Sequence, residues 1–158
     1  MLDPIDPEGP LPLRADAAVG VQAEKTLIRA APYVAMLSRI VVLERLIAEL
    51  PNQRCGIGHN RPPIGQEEVR EITQAIAILK VQPVVPTAPD EARAAGSTLK
   101  NIGERLGSYL VKQSDIIVSE AVKSAGSEFG KRLVQSPFWW ALATTLLMLA
   151  QSVEEWLR

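Results

Sequence analysis

The chain has one cysteine and one histidine in 158 residues. A single thiol excludes a disulfide within the chain. A tetrahedral zinc site needs three or four ligands, so Cys55 and His59 cannot complete one between them. Aromatic residues are scarce at 4%, while apolar residues reach 47%. The core is therefore built from Ala, Leu, Ile and Val, which suits closely packed helices better than a sandwich of aromatic and β-branched strands. An excess of charge is missing too: 17 basic against 18 acidic residues leave a net charge of -1. That balance gives no electrostatic footprint for nucleic acid, and none is expected as a partner. The opening MLDPIDPEGPLPLR lacks the basic and then apolar order of a secretory signal. A cytoplasmic protein is expected; the alternative is an inner-membrane anchor with its soluble part in the cytoplasm.

What the chain does hold is helical periodicity punctuated by proline. It predicts an all-α protein, either a helical bundle or two helical lobes joined by a Pro-rich linker. Pro4, Pro7, Pro10 and Pro12 make residues 1–13 a disordered arm. Residues 14–81 form an N-terminal lobe. Its first helix begins near Asp16, and Pro32 is expected to kink or break it. In the following run, YVAMLSRIVVLERLIAEL, Met36, Ile40, Leu43, Ile47 and Leu50 recur at spacings of four and three, one apolar helix face. Pro51 and Asn52 stop it. QEEVREITQAIAILK is a further helix, with Glu67, Glu68 and Glu71 near its positive end and Val69, Ile72, Ile76 and Leu79 as its buried stripe. Prolines make residues 82–89 a stiff linker. Residues 90–158 form a C-terminal lobe, with a face marked by Leu99, Ile102, Leu106 and Leu110 and a restart at Ser114-Asp115. Gly103 and Gly107 stand four apart, as do Gly126 and Gly130. That spacing either admits a second helix closely or marks a broken one.

Residues 133–153, LVQSPFWWALATTLLMLAQSV, carry no charge. As a helix they span roughly 30 Å, a bilayer core. Lys131 and Arg132 precede them, and Trp139, Trp140 and Trp156 lie near the two ends, the pattern of an anchor. Polar Thr144, Thr145, Gln151 and Ser152 argue the other way. So does the stripe Trp139, Leu142, Leu146, Leu149, Val153 and Trp156, which fits a helix packed against partners. The packed helix is the favoured reading.

The sole cysteine and histidine fall in one loop, CGIGHNRPPIGQ, residues 55–66. A Cys55–His59 nucleophile pair needs an oxyanion hole and an orienting residue, and no third residue is evident. Backbone N–H groups of residues 56–61, with Arg61, offer an anion cradle. The loop, however, follows a helix and lacks the third glycine and the lysine of phosphate loops. A bend explains most of the letters: glycines permit positive φ, Asn60 closes an Asx turn, and Pro62-Pro63 stiffen the exit.

Gly56, Ile57, Gly58, His59, Asn60, Pro62 and Pro63 resemble a Gly-Ile-Gly-His-Asn-x-Pro-Pro element that recurs in uncharacterised proteins of alphaproteobacteria, rhizobia in particular, and of their phages. The resemblance covers this loop alone. It implies a bacterial source and a short docking or recognition element, and it implies no activity. The expected function is a non-enzymatic helical protein-protein interaction module that binds a protein partner or itself. Gly56, Gly58, His59, Asn60 and Arg61 are its candidate partner-binding residues. No catalytic residue, cofactor or metal is expected. The alternative is a tail-anchored or peripheral membrane protein using residues 133–153; a more distant one is an anion- or nucleotide-binding loop at 56–61.

Overall fold

A helix with apolar side chains every three or four residues needs another helix to cover them. Among the described residues four helices cover one another. The computed structural model describes residues 14–52, 62–121 and 137–158. They form α1 (Arg14–Glu49), closed by a 3-10 turn at Leu50–Asn52, then α2 (Gln66–Lys80), α3 (Pro89–Ala121) and α4 (Pro137–Leu157). Among the described residues there is no strand, and the protein is all-α. The arm at 1–13 and the glycines at 126 and 130 lie outside the described residues.

The periodic stripes meet in one buried cluster. Met36, Ile40 and Leu43 come from α1, Ile72, Ile76 and Leu79 from α2, and Leu99, Ile102, Leu106 and Leu110 from α3. Val69, Ile47 and Leu50 lie partly buried at its edge. α4 is central, packed against both α3 and α1, while α2 lies on α3 and touches α1 lightly. The N-terminus of α2 has a glycine where a capping side chain would sit. Glu68 compensates: its carboxylate accepts the Gly65 backbone N–H, which satisfies a donor that the first turn leaves open.

Three expectations need correcting. Pro32 does not break its helix, which runs unbroken through it. Proline removes one hydrogen bond, to the carbonyl four residues back, and the chain just beyond is firmly held. Tyr33 Oη donates to the Gln82 carbonyl at 2.7 Å, and its ring meets Trp156 with centroids 5.8 Å apart. Nor does Ser114-Asp115 restart a helix, since α3 continues to Ala121.

Residues 82–89 are not a stiff spacer. The Gln82 side chain is buried, and its Oε1 accepts the Thr87 N–H, the Thr87 hydroxyl and the Ala88 N–H at 3.1–3.3 Å. One side chain thus folds the connection back on itself and satisfies donors at the entry to α3. Pro89 follows as the first helical residue, where its missing N–H costs nothing. From the other side, Trp156 Nε1 donates to the Val84 carbonyl at 2.6 Å. The connection is clasped between α1 and α4.

Glycines set the approach of α3 to α4. A Cβ at Gly103 would fall 3.0 Å from Leu147 Cγ and 3.1 Å from Leu146 Cβ; one at Gly96 would fall 3.0 Å from Val153 Cγ1. Gly96 and Gly103 are seven apart, as are Val153 and Leu146, so the two helices interlock in antiparallel register. Gly107, read from the sequence as the partner of Gly103, has nothing within 4 Å of its would-be Cβ. Two substitutions should therefore act in opposite directions. Gly103→Val overpacks the contact and lowers stability by about 1–3 kcal/mol. Gly107→Ala gains up to about 1 kcal/mol of helix propensity. Urea midpoints of the two variants read the signs directly, and the reverse order would rule out this interlock.

Candidate interaction surface

One apolar stripe is enough to dock a helix on a core. α1 has two. The inner stripe, Met36, Ile40 and Leu43, is buried against the bundle, and Arg39 fastens the helix by donating from Nη1 to the Met148 carbonyl at 2.9 Å. The outer stripe runs Leu27, Ala31, Val34, Ser38 and Val41, with Ile28, Ala35 and Val42 beside it. Leu27 is 75% exposed, Ile28 69% and Val34 60%. The Ser38 hydroxyl donates to the Val34 carbonyl at 2.9 Å, so its polar group is already spent within the helix. From 19 to 32 no residue is buried. Scattered exposed apolar side chains are ordinary on a protein surface. A continuous row of them on one helix is the mark of an interaction site.

Glu24 and Arg45 stand at the two ends of the outer stripe. Both are exposed, and neither forms an ion pair among the described residues. The ion pairs among the described residues lie elsewhere; on α1 they engage only Glu44, which meets Lys80 at 2.8 Å.

α1 also supplies the membrane-length segment. Val19–Asn52 is long and apolar enough to cross a bilayer, and it is alone in this among the described residues. The sequence had pointed to 133–153 instead. The described part of that segment supplies core: Trp139, Leu142, Leu146, Leu149 and Val153 are all at most 4% exposed, and Trp140 is half-buried against the same cluster, as Trp156 just beyond it is buried. Arg39, Glu44 and Arg45 interrupt α1 often enough to hide its apolar character from a search for charge-free runs.

An open groove of about 590 Å³ lies between α2 and α3. Ala75, Ala95 and Ile102 line it, with Glu71, Gln74 and Arg105 among its polar residues. Arg105 is turned to Glu68 at 3.5 Å, and the Thr98 hydroxyl donates to the Ala94 carbonyl at 3.1 Å. The lining holds no histidine, cysteine or lysine, so it brings together no nucleophile with a nitrogen base. Among the described residues no three His, Cys, Asp or Glu side chains gather as metal ligands. Cys55 and the loop residues Gly56, Gly58, His59, Asn60 and Arg61 lie outside the described residues.

Comparison of the chain with protein-family models, with curated proteins and with solved structures finds no match.

Proposed function

We propose that the chain is a non-enzymatic, helical protein-protein interaction module and that the outer stripe of α1 is its docking face. The observation that carries this reading is the exposure of Leu27, Ile28 and Val34 on a helix whose inner stripe already satisfies the core. The bundle acts as a platform, and the outer stripe is free of duty in holding it together. The loop at 56–61, on its resemblance, is a second docking element.

The test is a Leu27→Glu/Val34→Glu variant. Both sites are exposed, so stability should stay within about 0.5 kcal/mol of wild type. Partners captured by cross-linking in the native cell should be lost. A variant that recovers the wild-type set of cross-linked species sinks this docking face. Deletion of residues 56–60 in the same assay tests the loop separately.

The hydropathy of Val19–Asn52 favours a second reading, a peripheral helix lying on the inner face of a membrane. Lying flat leaves the bundle whole. Spanning would pull Met36, Ile40 and Leu43 away from the core they help to build. Flotation of the purified chain with anionic vesicles, lost in the same variant, supports this reading over the first.

A further inference from the structure

We propose that α1 pairs with α1 of a second copy of this chain, antiparallel, about a two-fold axis between Val34 and Ala35. This rests on the docking face described above and names its occupant. A two-fold interface requires one patch to be complementary to itself. The outer stripe meets that requirement position by position. About this axis Leu27 lies opposite Val42 of the second copy, Ile28 opposite Val41, Ala31 opposite Ser38, and Val34 opposite Ala35. Small residues fall near the middle, where the helix backbones approach most closely, and larger ones flank them.

Charge fixes the orientation. In the same register Glu24 lies opposite Arg45 of the second copy, and Arg45 opposite its Glu24, so both ends close on opposite charges. Both residues are exposed, and neither finds an ion-pair partner among the described residues. A parallel pairing would set Glu24 against Glu24 and Arg45 against Arg45, which like-charge repulsion opposes. From Glu24 to Arg45 the strip is about 30 Å long. One helix wide, it buries on the order of 1,000 Å² in total, the low end for specific interfaces, where weak and transient pairs lie, and a micromolar affinity is the value to test.

Sedimentation equilibrium of the full chain from about 1 to 200 μM brackets that affinity. The expected result is a mass rising from the 17.2 kDa of one chain towards twice that value. Glu24→Arg should weaken the dimer about tenfold, because the pair is lost at both ends. Adding Arg45→Glu should restore it. Both sites are exposed, so folding is not at stake, and circular dichroism verifies that. A dimer that Glu24→Arg leaves intact, or that the double variant does not recover, overturns the antiparallel register. A monomer at every concentration overturns the self-pairing. In that case, cellular cross-links lost with Val34→Glu leave the docking-face reading standing, and unchanged cross-links end both. A monomer that floats with phosphatidylglycerol vesicles, and ceases to with Val34→Glu, gives the stripe to a membrane instead.

Discussion

Trp156→Ala should remove about 4 kcal/mol or more of stability, a large share of the roughly 5–15 kcal/mol typical of a domain. The indole is fully buried at the point where three parts of the chain meet. Its ring lies 5.8 Å from that of Tyr33 on α1, and its Nε1 holds the Val84 carbonyl of the α2–α3 connection at 2.6 Å. Alanine leaves a cavity the size of an indole and strands that carbonyl. Trp156→Phe separates the two contributions, since it keeps most of the ring contact and gives up only the donor; its cost should be about 1–2 kcal/mol. Urea unfolding followed by circular dichroism gives both values. If Trp156→Ala unfolds within a few tenths of a molar of wild type, the junction does not carry the load assigned to it.

The second large effect is expected at Leu146→Arg. Leu146 is fully buried in the middle of α4, with its Cβ at the close contact made by Gly103. Among the described residues no buried carboxylate stands ready to pair with a guanidinium there. A buried unpaired charge costs several kcal/mol, enough to unfold the chain or drive it into aggregates. The same substitution in a membrane anchor would instead release a folded, soluble head. Solubility and far-ultraviolet circular dichroism of both proteins, expressed side by side, separate these outcomes. A folded, soluble Leu146→Arg protein would falsify the placement of α4 at the centre of the core.

Four apolar stripes were legible because helical periodicity is a local property: Met36, Ile72, Leu99 and Leu146 each announce a buried face within a few turns of their own helix. Of the kink or break expected at Pro32, the break does not occur, because a proline's effect depends on context. One lost hydrogen bond is tolerated when Tyr33 is pinned immediately afterwards by Gln82 and Trp156. The clasp at residues 82–89 was invisible for a similar reason. It depends on one glutamine folding inward and on a tryptophan 72 positions away, and neither leaves a periodic trace. Gly96 was missed because the search was for glycines four apart, whereas an antiparallel pair in heptad register sets them seven apart. The outer stripe of α1 escaped notice because two apolar faces on one helix blur the contrast that reveals either.

The partnership of α1 with α4 has a consequence for synthesis. Arg39 on α1 holds Met148 on α4 across 109 positions of sequence. At translation rates of 5–20 residues per second, that interval lasts roughly 5–20 s. For most of it, Met36, Ile40 and Leu43 have been made while the helix that buries them is still incomplete. The nascent chain therefore carries an uncovered apolar helix through most of its elongation, open to whatever holdase waits at the ribosome.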